Sequence, residues 1–212
     1  MFMGAISRDG LDIARRSREI VREKIRKVLG KDIDKYSEWE MKIIERVVHA
    51  TADVEYAKLI RFKNHPIEKG IEGVKSNCPM VVDVEMVKVG IRYNNIVSFI
   101  NDKKVYEIAK EEGITRAAAA MRIAKSYIHG GIVIVGNAPT ALFEVVRLIE
   151  EEEVEPRLVI GVPVGFVKAS ESKKLLHSID VPFITTEGPK GGTPVAVSIA
   201  NGIVELSRGK MV

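Results

Sequence analysis

Cysteine is almost absent from this 212-residue chain. Cys78 stands alone, so no disulfide can close within the chain, and a small cross-linked scaffold is excluded. A lone thiol fits a reducing compartment, and the expected location is the cytoplasm. Histidine is scarce too, at four residues. None of them forms an HxxxH pair or a Cys/His cluster with the spacing of metal ligands, so no protein-held metal is expected. No apolar run approaches the roughly 18 residues that a membrane span needs. The opening stretch MFMGAISRDG has no apolar signal core. A membrane partner is therefore not expected. Charge of one sign is also missing. Lys and Arg number 33 against 29 Asp and Glu, and the net excess of +4 is scattered along the chain. Nucleic-acid binding draws on a concentrated basic stripe, which this sequence lacks; a mild positive bias suits a small polyanion steered toward a cleft. Neither GxGxxG after a strand nor GxxxxGK[ST] occurs, which argues against a nucleotide or dinucleotide cofactor.

The residues present describe an α/β protein. Hydrophobic residues make up 46% of the chain, enough for a substantial core at this length. Leu11, Ala14, Val21, Ile25 and Val28 recur at helical spacing over 11–29, and Gly30 is a natural C-terminal stop. Ser17 shares that apolar stripe, where a hydroxyl is usually satisfied by a backbone carbonyl. Ser37-Glu38-Trp39-Glu40 reads as a capping box for a second helix. Its core face is Met41, Ile44 and Val48, and its polar stripe Lys42, Glu45, Arg46 and His49. A helical stretch continues through Tyr56, Ala57 and Ile60.

Met80 to Val84 reads as a buried strand, and Ile96 to Ile100 as the next, followed by helices over 102–112 and 115–127. Strands then alternate with helices at 132–135, 139–152, 158–162, 170–178, 183–186 and 193–207. That order predicts a mostly parallel sheet with helices on both faces. With no linker and no repeat, residues 1–212 read as a single domain. Ligands in such sheets bind beyond the carboxyl ends of the strands. The loops to search are 136–140, 163–167 and 187–193.

Among candidate residues His49 comes first. It lies in register with the polar stripe, open to solvent or a cleft, and imidazole exchanges protons near neutrality. Glu45 one turn back or Asp53 one turn on would orient the ring. The plain alternative is a surface histidine, which is common. His65, His129 and His177 sit at a loop, a helix end and a charged helix, where structural roles prevail. The loop Gly188-Pro189-Lys190-Gly191-Gly192 lets backbone approach a ligand closely ahead of a helix N-terminus, and Lys190 offers a charge for a carboxylate. Asp83 ends a buried strand and needs partners or a ligand. Arg116 starts a helix, where a cation is not favoured by the dipole; a local carboxylate partner is one reading, and a solvated charge the plainer one.

Several ordered motifs match one family. They are Arg46-Val47-Val48-His49-Ala50, Asp83-Val84-Glu85-Met86-Val87, Thr115-Arg116-Ala117-Ala118-Ala119, and above all Gly136-Asn137-Ala138-Pro139-Thr140-Ala141-Leu142-Phe143. With Gly161-Val162-Pro163-Val164-Gly165-Phe166-Val167 and Ala169-Ser170-Glu171-Ser172-Lys173, the chain resembles the precorrin-8X methylmutase family from about Arg8 to Leu206. The resemblance implies an isomerase of cobalamin biosynthesis acting on a tetrapyrrole, precorrin-8X or its cobalt form. It would move a methyl group from ring carbon 11 to ring carbon 12 without an external donor or a cofactor. It implies His49 as the proton-transferring residue. Arg16, Ser17, Asp83, Met86, Arg116, Asn137, Ala138, Pro139, Thr140, Gly165, Lys168, Ser170 and Lys190 become substrate contacts, with Arg116 set against the ring's carboxylates. It also implies a homodimer. A tetrapyrrole carrier would need the same pocket without proton transfer by His49. An S-adenosylmethionine-dependent methyltransferase would need a glycine-rich loop after the first strand, which is not clear here.

Overall fold

The computed structural model describes residues 7–209, so most of the opening segment read above for a signal core lies outside the described residues. The chain begins with α1 (Arg8–Leu29), whose Ser7 hydroxyl accepts from the Gly10 amide. Gly30 ends it at φ 55°, as expected, and a 3-10 turn over Gly30–Lys35 follows. The capping box forms as read from sequence, with both reciprocal hydrogen bonds between Ser37 and Glu40, and starts α2 (Glu38–Thr51). Ala52 then takes a left-handed conformation that ends α2 three residues after His49. Next come α3 (Tyr56–Leu59) and β1 (Ile60–Lys63), α4 (Pro66–Lys75), β2 (Met80–Val82), α5 (Glu85–Gly90) and β3 (Ile96–Val97). The remainder is α6 (Lys103–Glu111), α7 (Arg116–Ile123), α8 (Lys125–Ile128), β4 (Ile132–Val135), α9 (Pro139–Glu152), β5 (Leu158–Gly161), α10 (Ala169–Ser178), β6 (Phe183–Thr186) and α11 (Thr193–Ser207).

Six strands form one sheet in the order β1-β6-β5-β4-β2-β3. All pairings are parallel except β1 with β6, in keeping with the expected class. Alternate strand residues feed two layers. Ile132 and Ile134 join Ile160 and Ile184 under α2, α4 and α11, whereas Val133 and Val135 join Val159 under α7 and α9. Each such fully buried side chain is worth about 1.5–3 kcal/mol of transfer free energy.

Several local readings change in the structure. Ile60 begins an edge strand where a helix was expected, and α4 and α5 were not foreseen. The strand expected over Ile96 to Ile100 shortens to Ile96–Val97, and Met80 to Val84 shortens to Met80–Val82. The alanine-rich helix breaks at Ala124 into α7 and α8.

The sheet order marks the crevice where folds of this class commonly bind ligands. From β2 the chain steps outward to β3, then returns to the other side of β2 for β4. The crevice between the carboxyl ends of β2 and β4 is thus the topological switch point. The end of α2 is brought to this same rim, because Ile60 at the start of antiparallel β1 pairs with Thr186 at the end of β6.

Candidate active site

His49 lies in the last turn of α2, and α1 packs beside it. The Ser17 Oγ and His49 Nδ1 are hydrogen bonded at 3.0 Å. Neither Glu45 nor Asp53 orients the ring, contrary to expectation. Glu45 accepts from Arg22 Nε at 2.8 Å, and Asp53 accepts from Lys190 Nζ at 2.5 Å. Ser17 also departs from the backbone-satisfied role expected of a helical hydroxyl, because its partner is a side chain 32 residues away. Burial together with the nearby guanidinium groups of Arg18 and Arg46 holds the imidazole below its ordinary value of 6.5. Both effects disfavour the charged ring and favour the neutral one. Arg46 is itself fixed on α11, with Glu205 at 2.7 Å and the Ser198 carbonyl at 3.4 Å. The pair borders a largely apolar groove of about 430 Å³, lined by Arg16, Ser17, Ile13, Ile20, His49 and Val54 among others.

The other candidates fall into separate groups. Asp83 is fully buried. Its Oδ1 accepts from the Gly136 amide at 3.1 Å, and its Oδ2 accepts from Asn137 and Ala138 at 2.7 and 2.8 Å. An internal carboxylate thereby occupies the switch-point crevice and the amides ahead of α9, where α/β proteins often place a ligand's anion. Burial pushes this carboxyl up from its ordinary range, and the three amide donors oppose that rise. With both oxygens engaged, Asp83 shapes the loop before α9 and is not open to direct contact. Asn137, Ala138, Pro139 and Thr140 form the exposed to half-buried rim beyond it. Thr115 Oγ1 donates to Thr140 Oγ1 at 2.7 Å.

Thr140 and Lys168 line a second cavity of about 530 Å³, on the α7 and α9 side. Arg116 pairs with no carboxylate among the described residues, the plainer of the two readings. Its guanidinium donates to Tyr106 Oη at 2.7 Å and stacks 5.0 Å from that ring. It belongs to the layer opposite α2, so one chain does not bring it against His49. Met86 is 65% exposed on α5. Ser170 is half-buried in the first turn of α10. Gly165, at φ 148°, donates its amide to the Pro189 carbonyl at 3.1 Å and ties the loop after β5 to the loop after β6. Lys190 is claimed by Asp53 at 2.5 Å and Glu55 at 2.6 Å.

The other histidines have structural places. His129 accepts from the Glu155 amide at 3.3 Å, and His177 packs edge-on to Phe183 at 4.8 Å. Among the described residues no group of three or more His, Cys, Asp or Glu could hold a metal ion, and no helix is long and apolar enough to cross a membrane. Sequence reasoning missed Lys173, which is buried beneath the 187–192 loop. Its only signal was a charge inside an otherwise buried helix face.

The family model described as precorrin-8X methylmutase matches residues 12–206. The chain belongs to this family. A cobalt-precorrin-8 methylmutase of Methanocaldococcus jannaschii is 63% identical over 206 residues, covering 97% of this chain and 98% of that protein. One of Methanothermobacter thermautotrophicus is 45% identical, covering 99% of this chain and all of its own length. The crystal structure of a precorrin-8X methylmutase from Thermus thermophilus superimposes with a TM-score of 0.79 at 33% identity, over 93% of this chain and 96% of that one. Membership in the precorrin-8X methylmutases makes the chain a methyl-shifting isomerase, the enzyme class that the motifs imply.

Proposed function

We propose that the chain converts cobalt-precorrin-8 into cobyrinate by moving a methyl group from ring carbon 11 to ring carbon 12. The observation that carries the chemistry is the Ser17–His49 pair at the edge of the groove. The relatives of highest identity given above are named for the cobalt substrate, which favours that form over metal-free precorrin-8X. Cobalt, on this reading, arrives in the substrate, and the protein needs no cofactor of its own.

The carbon–carbon bond at ring carbon 11 breaks as the bond at ring carbon 12 forms, and the electrons stay within the macrocycle. No redox partner is involved, and the mass is unchanged. The work left to the protein is to hold one tautomer and to move a proton. A neutral His49 suits that task in the tautomer with Nδ1–H donating to Ser17 Oγ. Nε2 then takes a proton from the macrocycle and returns it where the shift leaves charge. Arg16 at the groove, and Lys168 and Arg116 on the far side, suit the acetate and propionate groups around the ring.

A groove of about 430 Å³ is at the low end for ligands of ordinary drug size, which take roughly 300–1,000 Å³. A tetrapyrrole is larger. We therefore also propose a homodimer, in which a second copy closes the groove and brings a second set of basic residues to the substrate.

The test is to mix the purified protein with cobalt-precorrin-8, follow the visible spectrum, and identify the product by mass and NMR. A product of equal mass carrying the methyl on ring carbon 12 is expected. His49→Ala should keep the fold and lose turnover. Tight binding without rearrangement by the wild type would favour a carrier.

A further inference from the structure

Lys173 is almost wholly inside the protein, at 2% exposure. Its Nζ donates to the Lys190 carbonyl at 2.8 Å and to Thr186 Oγ1 at 3.2 Å. Thr186 Oγ1 in turn donates to the same Lys190 carbonyl at 2.7 Å. No ion pair forms between Lys173 and any described carboxylate. A buried cation without a counter-ion costs stability, and an apolar residue of equal volume is usually neutral or better. Burial alone lowers its ammonium, to about 8, so it still carries charge at pH 7.

The position it anchors is a junction of three loops. Gly191 lies so close to the loop after β5 that a Cβ there would come within 2.2 Å of the Val162 carbonyl oxygen. Gly192 donates to that same Val162 carbonyl at 2.8 Å. On the other side, the Lys190 ammonium holds Asp53 and Glu55, and Tyr56 Oη donates to the Gly191 carbonyl at 3.2 Å. Segment 53–56 directly follows the end of α2 and contributes Val54 to the His49 groove. A stability cost borne at such a junction points to function, since breaches of packing rules concentrate where a site needs them.

We propose that Lys173 is a positioning residue for the methyl shift, its buried ammonium fixing the Lys190 carbonyl and, through the 187–192 loop, the segment that walls the His49 groove. This rests on the function proposed above. Lys173→Met keeps the volume and removes the charge. Its expected signature is a melting temperature at or above that of the wild type, with faster hydrogen exchange confined to the 187–192 loop. The KM for cobalt-precorrin-8 should rise roughly 10-fold with little change in kcat, the loss of one hydrogen bond from a charged donor. Lys190→Met should raise KM as well, and the double variant should be no worse than the worse single one.

A lowered melting temperature with unchanged loop exchange would make Lys173 a purely structural residue and overturn the proposal. Multiplicative KM effects in the double variant would overturn the route through Lys190. A wild-type protein that does not isomerise its substrate sinks the functional reading instead, and the exchange data then judge the loop contact on their own.

Discussion

At the residue scale the proposed chemistry turns on the state of one imidazole. Three effects act together on His49: partial burial, Arg18 and Arg46, all lowering its pKa from 6.5. The catalytic role proposed here requires the neutral ring, so kcat/KM should hold at neutral pH and fall as pH drops through a value below 6.5. Arg18→Gln removes one of the opposing cations and should move that acid limb to higher pH. A pH profile of kcat/KM checks this, and a limb that stays put would separate His49 from the titration. In the mechanism proposed above, Ser17 accepts from Nδ1–H across its 3.0 Å contact and so orients the ring with Nε2 free. Neutral imidazole otherwise samples both tautomers, so Ser17→Ala should lower kcat by about 10-fold, the worth of one lost hydrogen bond, without altering the melting temperature. The sequence made His49 legible by its register on α2 but not its partner. Glu45 and Asp53 are near neighbours of His49 along the chain, whereas Ser17 meets the ring only because α1 packs against α2.

At the element scale the feature with the largest consequence is the carboxylate between β2 and α9. Asp83 supplies both oxygens to three consecutive amides, Gly136, Asn137 and Ala138. Asp83→Asn keeps the shape but turns one acceptor into a donor that faces an amide donor. Leaving a buried N–H unpaired costs about 1–3 kcal/mol, so chemical denaturation should show a loss of that order. An unchanged denaturation midpoint would mean that the loop re-pairs its amides elsewhere. Such a contact joins residues more than fifty positions apart, and nothing local announces it.

The elements themselves were legible wherever the pattern was long or fully apolar, as in Ile132–Val135 and Pro139–Glu152. Those missed have weak patterns for physical reasons. The strand Ile60–Lys63 alternates two charges into four residues at a sheet edge, and Pro66–Lys75 carries two glycines. Gly70 and Gly73 sit there because side chains of Ile203 and Cys78 would come within 2.9 Å of an added Cβ. Close packing, not helix propensity, chose those residues.

At the scale of the whole molecule, one chain gathers only part of its candidate site. Arg16, Ser17 and His49 share a groove, whereas Thr140 and Lys168 line a cavity on the other side of the sheet. Motif matching put these residues in one group, but sequence order carries no information on which face each would take. Large apolar side chains are left open around the carboxyl rim and on α1. Phe166 is 98% exposed, Val89 84%, Val167 76% and Ile13 69%. Phe166 and Val167 are adjacent on the loop after β5, and a second copy that covered them would bury apolar surface. A two-fold pairing would use one patch on both copies and place the cations of a second chain near the groove of the first. Sedimentation equilibrium at assay concentrations should therefore give twice the mass of the chain, and specific activity should fall on dilution through the dissociation constant. Phe166→Glu should lower that association if the rim is the interface. Full activity in a preparation that sediments as a monomer would show that one chain encloses the tetrapyrrole alone, and the separation between the His49 groove and the Lys168 cavity would then have to close within a single subunit.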